Sequence, residues 1–396
     1  MQAPVVGAGV EYNTRLPLFT AAAMGLRTHN GNLAKPAKGR GAGLNVEGRF
    51  EHERCEEFDD GWGTLANEET RALKTIVTPI EAKSIISRNN SPDLPFTQSI
   101  NPYAGCEHGC IYCYARPTHA YYNLSPGLDF ETRIFAKTNA AALLRAELSK
   151  RGYQVDPIAL GANTDPYQPV ERELNITRSV IEVLAACNHP FTIVTKSALV
   201  ERDLDLLAPM AEKNLARVYI SLANLDHDLA RKLEPRASSP TRRLESIGRL
   251  SRVGLTVGVL VAPVIPFLTD HQIEPILQQA RVAGATSAGY VLLRLPYEIK
   301  DLFKDWLQQH YPLKAAHVMS RVHAMRKGKD NDANFGSRQR GTGEFADLLR
   351  KRFDIACRKL GYAGPRSNAG LDTTLFRAPS NVSIERDDVP DQLKLF

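Results

Sequence analysis

Between about residue 95 and residue 297, short apolar runs rich in β-branched side chains alternate with longer stretches whose apolar residues recur every three or four positions. The short runs predict strands at 96–100, 157–161, 191–195, 217–221, 255–261 and 288–293. The longer stretches predict amphipathic helices with their own punctuation. Ser239-Pro240 opens one that stops at Gly254, and Asn188 and Pro190 close another that runs through SVIEVLAAC from near Thr177. Strand–helix–strand repetition of this kind builds a parallel α/β sheet. Six such strands close into a full or partial barrel, or fan into an open sheet, and the pattern alone does not choose. In each architecture the chemistry collects at the C-terminal ends of the strands.

The flanks read differently. Residues 1–75 are rich in Gly, Asn and charge, with a basic run KPAKGRGAG at 35–43 followed by acidic residues from 51 to 60. They predict an irregular, flexible arm whose basic part is solvated. Residues 76–300 form the expected core and 301–380 a helical C-terminal extension. The extension includes a basic stretch from Arg321 to Arg352, with FGSRQRG at 335–341. That stretch reads as a charged helix face; the alternative is that Phe335, Arg338 and Arg340 hold a substrate phosphate. Residues 381–396 predict a flexible tail ending in QLKLF.

A hydrophobic content of 43% with 24% charged residues is that of a globular protein, and no run of about 18 apolar residues offers a membrane span. The first 25 residues lack the succession of a secretory signal, so a cytoplasmic, reducing compartment is expected. The net charge of +6 leans toward a polyanionic partner. Six cysteines in 396 residues are too few for a disulfide scaffold, and three crowd between 106 and 113. Cys55, Cys187 and Cys357 are isolated and read as packing residues.

Residues 101–116 read NPYAGCEHGCIYCYAR, which places Cys106, Cys110 and Cys113 at CxxxCxxC directly after the first predicted strand. Three thiolates this close can wrap three corners of a cubane and leave the fourth iron without a protein ligand, which makes it a reaction site. Gly105 and Gly109 suit a loop whose backbone must approach the sulfides closely. Zinc is the competing metal, with His108 or His119 as its fourth ligand, although no second pair of cysteines stands elsewhere in the chain.

A CxxxCx(aromatic)C loop after the first strand of a βα barrel resembles the radical SAM superfamily, and the resemblance covers about residues 95–300. It implies a partial (β/α)6 TIM-like barrel and a 4Fe-4S cluster on Cys106, Cys110 and Cys113. The open iron would chelate S-adenosylmethionine, whose reductive cleavage yields a 5'-deoxyadenosyl radical. A reductant protein of the flavodoxin or ferredoxin type would supply the electron. Within the superfamily the chain resembles the spore photoproduct lyase group, whose motif carries tyrosines before and after the last cysteine, as Tyr112 and Tyr114 do here. That match implies catalytic roles for both, with Tyr112 also lying against the cofactor's adenine. It further implies cofactor contacts from Thr164 and Asp165 after the second strand, Lys196 after the third and Ser221 at the end of the fourth. Read plainly, Asp165-Pro166 is also a turn signal, and Lys196 a solvated loop lysine. Arg236, in LEPRASSP, is a candidate carboxylate partner; Arg294, near the end of the sixth strand, is set aside. Ala162 stands where the lyase has its hydrogen-donating cysteine, so identical chemistry is not expected.

The resulting expectation is a radical SAM enzyme acting on a macromolecule, with DNA favoured over RNA or protein and a metabolite as a further alternative. A non-catalytic zinc-binding nucleic-acid module is the reading from a different class. Gln392, Leu393, Leu395 and Phe396 resemble the short peptide by which bacterial repair and replication proteins dock on the DNA sliding clamp. The plainer reading of those residues is a tail packed on its own domain.

Overall fold

In the computed structural model, which describes residues 39–43, 45–50, 73–363 and 370–379, the strands are β1 (Ile76–Ile80), β2 (Ile86–Arg88), β3 (Gln98–Ile100), β4 (Tyr103–Ala104), β5 (Arg133–Lys137), β6 (Ile158–Leu160), β7 (Phe191–Thr195), β8 (Ala216–Ser221), β9 (Thr256–Val264) and β10 (Ser287–Leu292). Seven of them form one sheet in the order β10-β9-β8-β7-β6-β3-β2. From β3 to β10 every neighbouring pair is parallel, and only β2 runs antiparallel, on the outer edge of β3. β10 ends the sheet on the other side, so the six parallel strands make an open, partial (β/α)6 barrel.

All six predicted strands are present. The pattern of β7, FTIVT, alternates buried and half-buried residues, and its bounds coincide with those expected. A three-stranded sheet, β1-β5-β4, lies outside that reading. β1 contains Pro79, which demotes a strand in sequence, and β4 is only two residues long. The helix Pro240–Arg252 begins as its sequence requires: Ser239 accepts from the N–H of Arg242 and Pro240 takes the first turn. Its residues Arg243, Ser246, Ile247 and Leu250 share the buried face. The helix Ile176–Ala186 starts one residue before Thr177, with Asn175 at the N-cap position in a left-handed conformation and no side-chain cap bond.

One large core fills the barrel beneath these helices. A second core joins the helices Ile299–His310 and Pro312–Met325 to Cys110, Ile111 and Tyr112, so the C-terminal extension is the floor on which part of the cysteine loop rests.

Two expectations are corrected here. The basic stretch is not a solvated helix face where it matters most. Arg326 is fully buried and donates to the carbonyls of Leu293, Ser337 and Arg338 at 2.8, 3.0 and 2.9 Å, while the N–H of Leu292 bonds the carbonyl of Gln339, so the 337–340 segment is stitched to the end of β10. Nor is the basic run of the arm solvated throughout, because Arg40 and Ala42 are buried. The remainder of the arm with Cys55, and the tail at 381–396, fall outside the described residues. Among the described residues no helix is long and apolar enough to cross a membrane.

Candidate metal and cofactor site

β4 delivers the chain into the cysteine loop through Gly105, whose φ of +83° only glycine adopts without strain. A side chain there would also press on the His119 ring and the carbonyl of Phe130. The N–H of Cys106 bonds the Phe130 carbonyl at 2.9 Å, and that of Ile111 bonds Leu233 at 3.1 Å, which fixes both arms of the loop. Inside the curve sits Arg116, fully buried. It donates to the carbonyls of Cys110, Pro126 and Gly127 at 2.8, 3.1 and 2.8 Å and pairs with the Glu131 carboxylate.

Glu131 is the centre of the loop's rear wall. Its two oxygens accept the N–H groups of Gly41 and Ala42, each at 2.9 Å, while Arg40 donates to its carbonyl at 2.8 Å. Gly41 is jammed so closely against the loop that a β-carbon would overlap the Gly109 carbonyl oxygen. Beside it, the Glu107 carboxylate accepts from Thr75 and pairs with Arg236 at 3.2 Å. Arg236 is thereby committed to a protein carboxylate behind the loop.

The strand ends form the front. The Thr164 hydroxyl donates to the Gly105 carbonyl at 2.7 Å, and Gln168 reaches the same carbonyl at 3.2 Å. Asp165 accepts from the Thr195 hydroxyl at 2.7 Å, the N–H of Lys196 at 2.8 Å and that of Tyr167 at 2.9 Å, with His108 Nδ1 at 3.3 Å. Burial alone would raise its pKa; His108 and these donors hold it down at about 2. Both Thr164 and Asp165 are therefore braces that join the ends of β6 and β7 to the loop. Lys196 Nζ lies 5.9 Å from the centre of the Tyr112 ring. Burial opposes its charge, but Cys110 and Glu234 more than offset that and raise its pKa.

The Tyr112 hydroxyl donates to Glu234, which pairs with the buried Arg243; Arg243 in turn donates to the carbonyl of Ser221 at 2.9 Å, whose own hydroxyl donates to Ala262 at 3.3 Å. Tyr114 turns its hydroxyl to the carbonyl of Ala162 at the end of β6. Cys106, Cys110, Cys113, Tyr112, Tyr114, Thr164, Asp165 and Lys196 thus converge, with Ser221 attached through Arg243 and Arg236 facing the rear. Glu131, Arg116, Glu234, Arg243, Gln168 and residues 40–42 escaped the sequence reading. Only the glycine spacing of GRGAG carried a signal, that of close backbone approach.

The thiols suit a metal cluster. Burial, Asp165 and the sibling cysteines push the Cys106 thiol far above its ordinary range, and burial lifts Cys110 to about 12. Three thiolates share such a pocket comfortably only if a cationic metal group compensates them. A zinc ion would need a histidine. His108 Nδ1 is turned to Asp165; His119 spends Nε2 on the Arg133 carbonyl at 2.9 Å and keeps an unpartnered Nδ1, but its ring is packed among Tyr122, Phe130 and Phe135. Among the described residues no three His, Cys, Asp or Glu side chains are grouped to hold a single ion. Three neighbouring thiols in one tight loop are the donor set of a cubane with one corner left open.

Residues 100–280 match the Radical SAM superfamily. The partial barrel and its cysteine loop are therefore a radical SAM domain, the fold of an enzyme superfamily. In architecture the chain is similar to spore photoproduct lyase: the structure complexed with dinucleoside spore photoproduct gives a TM-score of 0.53 at 17% identity over 72% of this chain and 80% of the lyase. An uncharacterized protein of Mycobacterium tuberculosis is 41% identical over 225 residues, 56% of this chain, so the chain spans 66% of that relative's length. A radical SAM Nα-GlyT isomerase of Pseudomonas phage M6 is 26% identical over 179 residues, covering 44% of this chain and 35% of the isomerase.

Proposed function

We propose that this chain is a radical SAM enzyme acting on DNA, with Cys106, Cys110 and Cys113 holding a 4Fe-4S cluster. The observation that carries the reading is a largely buried cluster of three thiols, a lysine and a tyrosine ring at the strand ends of a radical SAM domain. When bound, the cluster and S-adenosylmethionine supply a 5'-deoxyadenosyl radical by reductive cleavage.

The residues divide the remaining work. Lys196 presents a cation for the cofactor's carboxylate, and Asp165 positions it by gripping its backbone N–H. Tyr112, anchored through Glu234, offers its ring to the adenine. Ser221, fixed by Arg243, supplies a hydroxyl on the same side. Thr164 and Gln168 hold the Gly105 carbonyl, and with it the first thiol, in place. Tyr114 is half exposed and faces the substrate side. Ala162 brings no sulfur to the end of β6, so the reaction ends differently from that of a lyase with a thiol at this place.

DNA is favoured by the net charge of +6 and by likeness of fold to a lyase solved with a dinucleoside. A cytoplasmic setting, an electron donor of the flavodoxin or ferredoxin type, and clamp docking through Gln392, Leu393, Leu395 and Phe396 belong to the same proposal. Anaerobic reconstitution followed by dithionite reduction tests it. The expected result is a brown protein with about four irons that releases methionine and 5'-deoxyadenosine, both lost in Cys110→Ser. A colourless protein carrying one zinc, or nucleoside release indifferent to Cys110→Ser, overturns it.

A further inference from the structure

We infer that Arg294, flanked by Tyr114, Phe335 and Arg338, forms a binding strip for a single-stranded DNA segment beside the cysteine loop. The inference rests on the nucleic-acid reading above and assigns the place where the strand lies.

Arg294 follows β10 at its C-terminal end, the side on which the thiols lie. Its guanidinium is largely buried, its Nε is buried without a hydrogen-bond partner, and no carboxylate among the described residues forms an ion pair with it: Asp93, already paired with Arg338, supports its charge only weakly, less than Arg338 opposes it. The other buried arginines behave differently. Arg116 has three carbonyls and Glu131, and Arg243 has two carbonyls and Glu234; Arg326 also leaves its Nε unpartnered, but both of its terminal nitrogens are spent on the carbonyls around β10. A guanidinium withdrawn from water without an anion is costly. Arg294 carries that cost with the Arg338 cation nearby, which further opposes its charge. The missing partner is therefore an oxyanion from outside the chain.

Its surroundings point to a phosphodiester. Arg294 lies 5.7 Å from the centre of the Tyr114 ring, and Tyr114 is 49% exposed. Beyond Arg294, Arg338 is already neutralised by Asp93 at 2.7 Å and lies 4.7 Å from the centre of the Phe335 ring, itself 51% exposed. The series runs aromatic, free cation, paired cation, aromatic. Half-exposed rings interleaved with arginine are how proteins hold unpaired strands, the bases stacking while the cations meet the backbone. Because the Tyr114 hydroxyl is tied to the end of β6, the strip links the ends of β6 and β10.

The test uses the full chain, anaerobic and reconstituted, with a fluorescein-labelled thymidine 12-mer read by anisotropy across a salt series. Arg294→Gln is expected to weaken strand binding about tenfold and to reduce the log–log salt slope by about 0.7. Arg294→Lys should restore the slope. Phe335→Ser should weaken binding about fivefold with the slope unchanged. Iron content, melting temperature and S-adenosylmethionine binding by equilibrium dialysis should match wild type in each, since Arg294 holds no ion pair among the described residues and its Nε is unpartnered. Wild-type strand affinity and slope in Arg294→Gln overturn the inference alone. So does loss of S-adenosylmethionine binding with strand binding intact, which assigns Arg294 to the cofactor carboxylate. A wild-type protein that binds neither the 12-mer nor its duplex sinks the nucleic-acid reading as well.

Discussion

The two faces of the cysteine loop are built on opposite rules. At the rear, Glu131 receives Gly41, Ala42 and Arg116, and Glu107 receives Thr75 and Arg236. That wall is buried and its carboxylates are paired. At the front, Lys196 sits over a ring, Tyr114 is half exposed and Arg294 has no ion-pair partner among the described residues. A saturated network holds shape because every departure from it strands a buried polar group. An unsaturated one holds ligands, because its donors have yet to be used. Apart from the Thr164 and Asp165 braces, the front is soft to mutation in stability and sensitive in function, and the rear is the reverse.

The sharpest way to break that contrast is Glu131→Ala, which leaves the Arg116 guanidinium buried beside two unpaired N–H groups. It should cost about 3–5 kcal/mol in urea unfolding of the metal-free protein. A loss below about 1 kcal/mol, the range of an exposed ion pair, would mean the rear wall bears no structural weight. Acid probes the buried interior more broadly, without mutation. His119 and His189 are both buried, which lowers each imidazole to about 4. In the unfolded chain each returns to about 6.5, so the unfolded state binds more protons between those values. Stability is complete above about pH 6.5 and falls as pH drops toward 4, by about 3 kcal/mol per imidazole. A urea midpoint flat from pH 7 to 4.5 would refute this.

Gly41→Val comes next. Its added carbons meet the Gly109 carbonyl, with an expected cost of about 1–3 kcal/mol and less iron retained on desalting than in wild type. Lys196→Met tests the front: S-adenosylmethionine affinity falls by about tenfold, as for one lost charge-assisted contact, while the urea midpoint barely moves. A change of midpoint with unaltered affinity would place Lys196 in the structural class. Smallest of all, Arg352→Ala removes a surface pair with Glu274 at 2.6 Å and should cost under about 1 kcal/mol.

The contrast also explains what the sequence disclosed. Local signals reported well: β7 shows its alternation in five residues, Ser239 and Pro240 mark a helix start, and the spacing of Cys106, Cys110 and Cys113 points to the radical SAM superfamily that residues 100–280 match. Lys196 and Asp165 were legible because strand ends in βα folds carry function. The rear wall was hidden because its contacts join residues about ninety apart, as Gly41 to Glu131, and no periodicity encodes such a meeting. Glu131 stands in a short helix, Asp129–Thr132, and looks like any solvated acid. Arg236 and Arg294 were separable only in three dimensions: one has Glu107, and the other has a ring.

One consequence concerns where this molecule can be cut. A fragment starting at β1 would keep every strand and all three thiols, and would seem a sensible minimal unit. It would lack the two amide donors that cap Glu131, leaving that buried carboxylate to Arg116 alone. Dissection guided by strands alone would discard the keystone while saving every visible stone of the arch.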